Sequence, residues 1–252
     1  MRNRNYILAI ALFFAFFFQS SAFAITKQNA DDSYKKGNYQ QAIADYNELL
    51  RKGVSADIYY NLGNAYYRTD NLAQAILAYE RALRLSPGDK DIRFNLQFAS
   101  SKTIDKITPI DSNVFSALYK GVVNFTSVDN WARTAVVSII FALVLMLVYL
   151  FAFNVTARKV GFFGSAAFVV IFLLSNLFAY QQKVDFENST GAVVMVPSVG
   201  VKASPVSKSS DAFVLHEGTL VDITDSGMRG WKAIRLADGR EGWVVASALE
   251  LI

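Results

Sequence analysis

The chain has 252 residues, a formal net charge of +4, no cysteine and a single histidine. Without cysteine there is no disulfide, no thiolate metal site and no cysteine nucleophile, and one histidine lacks the second imidazole of a typical metal or catalytic set. The small charge is spread along the chain rather than gathered in a basic patch, which excludes a nucleic-acid-binding surface. We expect no cofactor, no metal and no catalytic residue.

Residues 1–24 have the three parts of a secretory signal peptide. Two arginines precede an apolar run from Tyr6 to Phe18, and the small residues that follow end in an Ala-Phe-Ala cleavage pattern at Ala24. We therefore predict that the segment after the signal is exported. If the signal stayed uncleaved as a further span, that segment would still lie outside the cytoplasm.

Residues 25–104 contain an internal repeat with a period of about 33 residues, a length that indicates stacked supersecondary units. Four pairs of positions coincide on this shift: Tyr39 with Leu72, Ala42 with Ala75, Ile43 with Ile76 and Tyr46 with Tyr79. The second copy resembles the tetratricopeptide repeat at Leu62, Gly63, Tyr66, Ala75, Tyr79, Ala82 and Pro87. The resemblance predicts an all-α domain with repeats at about 25–55 and 56–89 and a capping helix at 90–102.

The same resemblance implies a concave face formed by the first helix of each pair. That face would present Tyr34, Tyr60, Asn64, Tyr67, Arg68 and Phe98. Aromatic, amide and guanidinium groups of this kind suit an extended or helical peptide. Alternatively, the tyrosines only complete the packing of a short array, because aromatic residues at helical spacing often belong to a core.

Residues 105–130 are predicted to be a linker followed by an amphipathic helix. Pro109 interrupts any helix in the linker, and apolar residues then recur at helical spacing opposite Ser116 and Lys120. The apolar set is Val114, Phe115, Leu118, Tyr119, Val122 and Phe125. A helix of this kind just before a span fits an anchor in the membrane surface, and the alternative is packing against the repeats.

Residues 131–180 hold two uncharged apolar runs, at about 134–153 and 160–180, joined by a short polar break. Each run has the length of a membrane span, so we predict a transmembrane hairpin rather than a buried hairpin in a soluble helical core. Two spans return the chain to its starting side, which places both flanking segments outside the cytoplasm. Arg158 and Lys159 in the break agree with a turn on the inside.

The two spans have no Asp, Glu, Lys, Arg or His, so they offer no ion or proton relay, and transport is not expected. Small residues recur four apart, as Ser138 with Ala142 and as Gly161 with Ser165. These pairs lie near opposite membrane faces and cannot meet each other in a simple hairpin. They would face other subunits or lipid.

Residues 188–252 change to short strands separated by Gly, Ser, Pro and Asp, which predicts a small all-β barrel. The segments VLHEGT and GWKAIRLADGREGWV and the closing ASALELI resemble the bacterial SH3 domain. Relatives of that domain are often linked to peptidoglycan, which makes Trp231 and Trp243 a candidate binding surface; packing within the barrel is the alternative. His216 is expected to mark a strand end rather than a reaction centre.

The full layout of signal, repeats, hairpin and SH3-like segment resembles the BatE-type membrane proteins of aerotolerance operons. That resemblance implies a non-enzymatic scaffold in a bacterial inner membrane, with the repeats and the SH3-like domain in the periplasm. Implied partners are membrane proteins with von Willebrand A domains and, indirectly, a MoxR-type ATPase. A cell-wall anchor or sensor that binds peptidoglycan is the alternative. A hydrolase has only isolated carboxylates, such as Glu217, Glu241 and Glu250, to offer.

Overall fold

The structure is a computed structural model that describes residues 26–110 and 113–252. The predicted signal peptide, residues 1–24, lies outside the described residues. Within them the chain forms a helical array, then two long apolar helices, then an antiparallel sheet.

The helices and strands in these ranges are numbered in chain order. The helices are α1 (Lys27–Lys35), α2 (Tyr39–Lys52), α3 (Ala56–Arg68), α4 (Leu72–Leu85), α5 (Lys90–Ser100), α6 (Val114–Val123), α7 (Val128–Phe151) and α8 (Val155–Glu187). The strands are β1 (Gly191–Val194), β2 (Ser198–Lys202), β3 (Asp211–His216), β4 (Leu220–Asp225), β5 (Trp231–Arg235), β6 (Glu241–Val245) and β7 (Leu249–Leu251).

Helices α1 to α5 form the helical repeat array that the sequence predicts. Close packing of α3 on α4 depends on Gly63, where an added Cβ would lie 2.6 Å from the Tyr79 ring. The helix ends follow from capping chemistry, since the Asp89 carboxylate accepts a hydrogen bond from the Ile92 N–H (3.1 Å) and begins α5. Pro87, between α4 and α5, prevents the two helices from continuing as one.

Helices α7 and α8 pack against each other as an antiparallel hairpin, and both are long and apolar enough to cross a membrane. Most of their apolar side chains are exposed, unlike those of a core helix in a soluble protein. Helix α8 runs to Glu187, so it continues beyond the end of the predicted span at residue 180.

The small residues of the hairpin do not face outward. Ser138 and Ala142 on α7, and Gly161 and Ser165 on α8, are all buried. A Cβ on Gly161 would lie 2.6 Å from the Tyr149 backbone nitrogen, which shows how closely the two backbones approach there. The expectation that these residues face lipid or another subunit is therefore wrong, because each pair packs against the opposite helix of the same hairpin.

The C-terminal strands form one seven-stranded antiparallel sheet in the order β3-β2-β6-β5-β4-β1-β7. The predicted strands are present, and the β5–β6 hairpin turns at Gly239, whose φ of 84° favours glycine. The sheet is open, with β3 and β7 at its edges, and a closed barrel is not what this strand order gives. It curves enough for side chains from distant strands to share one core, as Val201, Leu215, Val221 and Ile234 do.

The sheet packs directly on the helical array. Val193 of β1 is buried in the same cluster as Ile76 and Leu77 of α4, while its neighbours Ala192 and Val194 point into the core of the sheet. Strand β1 is thus covered on both faces, which explains why its sequence is a continuous apolar run rather than an alternating one.

Arginines of α4 complete this junction. Arg81 donates to the Leu251 carbonyl oxygen (2.6 Å) and pairs with Glu250 (3.1 Å). Arg84 donates to the carbonyl oxygens of Ile252 and of Phe186 at the end of α8, and its guanidinium lies 4.3 Å from the Phe186 ring centre. Array, sheet and hairpin therefore meet around one helix.

Residues 103–110 follow the helical array and are here called the strap. The Asp105 carboxylate accepts hydrogen bonds from the His216 N–H (2.7 Å) and the Thr219 hydroxyl (2.6 Å). Farther along, the Ile110 N–H donates to the Ala237 carbonyl oxygen (3.0 Å), and Ile107 packs on the core of the sheet. The strap is thus fixed to the sheet rather than free.

Candidate peptide-binding face

The structure brings the six predicted residues of the concave face together on three helices. Tyr34 lies on α1, Tyr60, Asn64, Tyr67 and Arg68 lie on α3, and Phe98 lies on α5. These six residues, together with Phe94, Asn95 and Lys102, are called the concave face.

Aromatic contacts link the neighbouring helices of this face. The ring centres of Tyr67 and Phe98 are 5.7 Å apart, and Phe98 stacks further on Phe94 at 6.5 Å. At the other end Tyr34 packs edge-on against Tyr39, with ring centres 5.3 Å apart. These rings, here called the aromatic row, form one group on α3 and α5 and one on α1 and α2, and Phe94 and Phe98 are exposed.

A network of amide and phenol groups lies beneath these rings. The Asn64 side-chain oxygen accepts hydrogen bonds from the Tyr79 hydroxyl (2.7 Å) and from the Asn95 amide nitrogen (2.9 Å), which also donates to Tyr60 (3.0 Å). Burial, together with the neighbouring Tyr60, raises the pKa of Tyr79, so its hydroxyl stays protonated and donates. The Asn64 oxygen is thereby held by two donors of the protein, which leaves its amide N–H groups as the part of this side chain that can bind a ligand.

Two cations lie at the rim of the concave face. Arg68 is exposed, and the neighbouring Tyr34 hydroxyl raises the pKa of Arg68. Lys102 lies with its Nζ 5.2 Å from the centre of the Phe98 ring. Aromatic rings with cations at their edge and amide groups among them can hold a peptide segment by its side chains and its backbone carbonyl groups.

Sequence reasoning missed Asn95 and Lys102. Asn95 could have been found, because DIRFNL at Asp91 to Leu96 repeats DIYYNL at Asp57 to Leu62 and places Asn95 at the position of Asn61. Asn61 itself donates to Asp31 (3.1 Å), so the same repeat position carries a structural amide in both copies. Lys102 lies just after α5, where no repeat pattern reaches it.

The single histidine holds the strap to the sheet rather than forming a reaction centre. His216 Nδ1 lies 2.9 Å from one oxygen of Asp105, while the Thr219 hydroxyl donates to the other oxygen of the same carboxylate. Nucleophilic catalysis needs the hydroxyl on the imidazole and the imidazole on the acid, in series. Here both groups bind one acid in parallel, which is an arrangement for joining segments. Hydrogen bonds from Thr219 and His216 outweigh burial and lower the pKa of Asp105.

Trp231 and Trp243 lie on the second predicted surface. Trp231 pairs with Val245 and Trp243 pairs with Ala233 across β5 and β6, so both indoles project from the face opposite the buried Ile234. Both tryptophans are partly exposed. They are neighbours on the outer face and do not fill the core of the sheet.

Comparison with known proteins identifies one part of the chain. Residues 28–90 match the family model of the tetratricopeptide repeat. The matched range covers nearly all of α1 and the whole of α2 to α4, which include most of the concave face. Such repeats are protein-interaction modules whose stacking creates concave binding surfaces. A search of curated proteins finds no match to the chain.

Proposed function

We propose that this protein is a non-enzymatic, membrane-anchored scaffold or adaptor that binds protein partners through its concave face. The observation that carries this proposal is the contrast between the two sides of the array. On one side, α4 is covered by the protein's own sheet through Val193, Arg81 and Arg84. On the other, the aromatic row and the rim cations are accessible to a ligand.

The anchor in this proposal is the α7–α8 hairpin, inserted in a bacterial inner membrane. Its exposed apolar side chains suit lipid, and the positive charges of Arg158 and Lys159 in the first turns of α8 suit the cytoplasmic side. The array and the sheet would then both lie in the periplasm. Because the chain has no cysteine, single cysteines placed at Ser209 and at Arg158 test this topology. In intact cells an impermeant maleimide should label Ser209→Cys and spare Arg158→Cys.

The wider context of the proposal is a Bat-type envelope complex for aerotolerance or oxidative-stress resistance. It is supported by the resemblance of the whole layout to BatE-type proteins. Partners with von Willebrand A domains, and indirectly a MoxR-type ATPase, follow from that resemblance. We propose that such a partner contributes a peptide segment to the concave face.

The test of the binding function is a pair of substitutions on that face. Tyr67→Ala with Arg68→Ala removes one ring of the aromatic row and one rim cation, and both side chains are accessible enough that the fold should persist. We expect this variant to reach normal abundance and to lose its partners in a crosslinking pull-down from native membranes, read by mass spectrometry.

A matched control lies on the same array away from the concave face. Lys52→Ala with Val54→Ala removes one cation and one exposed apolar side chain near the end of α2, and it should keep the partners. Equal recovery of partners by both variants would reject the concave face as the binding surface. Tyr79→Ala serves as the reference for an unfolded array, because this side chain is buried and its removal should unfold the repeats.

A second candidate function is binding of peptidoglycan through the sheet, favoured by the shared outward face of Trp231 and Trp243. Exposed indole faces can stack on sugar rings. Changing both tryptophans to Ala should then abolish sedimentation of the protein with isolated cell wall, while the concave-face variant still sediments. Deleting the whole sheet would be a poor test, since that would uncover Ile76 and Leu77 of the array.

A further inference from the structure

We propose that α6 lies in the plane of the membrane surface, with its apolar face in the outer boundary between lipid headgroups and acyl chains. This face consists of Phe115, Leu118, Val122 and Phe125, with Val114 and Tyr119 at its edges. The inference rests on the proposed insertion of the hairpin and adds to it a second lipid-binding element.

The first observation is how exposed the apolar face is. Phe115 is 81% exposed, Phe125 is 76% exposed and Leu118 is 63% exposed, and among the residues of α6 only Val123, at the end, is buried. The repeats therefore do not cover this face, contrary to one of the alternatives that the sequence allows. A helix of 10 residues has little stability of its own in water, so it needs a surface on which to pack.

The second observation is the depth at which α6 is held. The Trp131 indole N–H donates to the Val123 carbonyl oxygen (2.9 Å), and the Gln182 amide donates to the carbonyl oxygens of Val123 (2.5 Å) and Thr126 (2.7 Å). Tryptophan concentrates where a membrane meets water. Here Trp131 lies near the start of α7, with its ring 5.1 Å from that of Phe178, so the end of α6 is fixed at the level of the predicted interface.

The third observation is the position of the cationic side chains around the apolar face. Lys120 lies on the polar side of α6, and Lys90 and Arg93 of α5 line a cleft of about 280 Å³ that also contains Phe125. Cations beside exposed aromatic rings match the phosphates and acyl chains of a bilayer, which an interfacial helix contacts together. The end of α6 also contacts α8, most of whose apolar side chains are exposed. Lipid is therefore the occupant that we assign.

The absence of cysteine allows each position to be probed in the full chain. Single cysteines at Leu118, Lys120 and Leu143 would carry an environment-sensitive fluorophore, in protein reconstituted into phosphatidylethanolamine and phosphatidylglycerol vesicles. Leu143 is an exposed residue in the middle of α7 and reports on the hairpin. Lipids with a quencher near the headgroup or near the chain end then measure the depth of each probe.

We expect the shallow quencher to reduce the fluorescence at Leu118→Cys, the deep quencher to reduce it at Leu143→Cys, and Lys120→Cys to be quenched least by both. A Leu118 probe that no lipid quencher reaches, with the Leu143 probe still quenched by the deep lipid, overturns the lipid assignment and leaves the anchor in place. A blue-shifted but unquenched Leu118 probe would mean that protein covers the face, which also overturns it. A Leu143 probe that the deep lipid does not quench overturns the proposed anchor and this inference with it.

Discussion

One carboxyl group at the junction of array, sheet and hairpin, that of Glu80, has a shifted pKa that the sequence does not predict. Glu80 of α4 lines two clefts of about 260 Å³, which it shares with Arg84, Asp185, Asp222 and Arg235. Burial raises the pKa of Glu80 to about 7, and the nearby positive charge of Arg84 only partly opposes that shift. At neutral pH this carboxyl is therefore divided between its neutral and charged forms.

The sign of the effect on stability follows from proton binding. The unfolded chain releases the Glu80 proton near the ordinary value of 4.5, whereas the folded chain holds it up to about 7. Stability from this group is therefore greatest at low pH and falls as pH rises through that window. We expect Glu80→Gln to remove this loss and to raise the free energy of unfolding on the order of 1–2 kcal/mol at about pH 8.

Thermal unfolding in detergent, followed by circular dichroism at about pH 5 and about pH 8, measures this difference. Glu48→Gln is the matched control, because Glu48 forms exposed ion pairs with Arg51 and Lys52 at a distance from the junction. The control should keep the pH dependence of the parent protein. If Glu80→Gln kept it as well, another group at the junction would have to be responsible.

At the scale of elements, the hairpin owes its close packing to glycine. The Cβ of an alanine at position 161 would lie 2.6 Å from the Tyr149 nitrogen and 2.7 Å from the Leu145 carbonyl oxygen. Both atoms belong to backbone and cannot rotate away, so α7 and α8 must separate locally. We expect Gly161→Ala to destabilise the hairpin by about 1–3 kcal/mol.

Gly121 of α6 supplies the control, because a Cβ there would meet no atom within 4 Å. Gly121→Ala should be neutral or should stabilise its helix by up to about 1 kcal/mol. Thermal aggregation of the two variants in one detergent compares them directly. Equal aggregation temperatures would mean that the hairpin does not depend on contact at Gly161.

The elements that the sequence predicts well are those with a periodic signal. The repeat period gives α1 to α5, the apolar runs give α7 and α8, and turn residues give the seven strands. The strand pattern could not predict an open sheet, because closure depends on how the edge strands β3 and β7 pair. The sequence also could not show that the small residues of each hairpin helix pack against the other helix. Their spacing places them on one helix face but does not say what that face contacts.

The concave face shows the same division between local and long-range information. Its six residues follow from the repeat, because each occupies a fixed position in a first helix. Their hydrogen bonds do not, since the bond from Asn95 to Asn64 joins two helices whose separation depends on packing. Asp105 is the extreme case: it reaches His216 across 111 residues from a polar linker with no pattern of its own.

At the scale of the whole molecule, array and sheet are one packed unit rather than two separate modules. The sequence contained one sign of this, the continuous apolar run of β1, which an antiparallel sheet with one wet face would not need. Charge pairing between Arg81 and Glu250 adds to the apolar contact but lies partly exposed, so burial of Val193 is the larger contribution.

Substitution of Val193 should therefore weaken both parts of this unit. Val193→Ala removes two methyl groups from a buried site shared by β1 and α4, and we expect it to cost about 1–3 kcal/mol. Hydrogen exchange read by mass spectrometry should speed up in α4 as well as in β1. Val214→Ala on β3 is the control, because its side chain is about half exposed and its loss should leave α4 unchanged. Faster exchange in the sheet with an unchanged α4 would show that the array and the sheet are stable independently. Binding of a partner to the concave face would then have no effect on the sheet through α4.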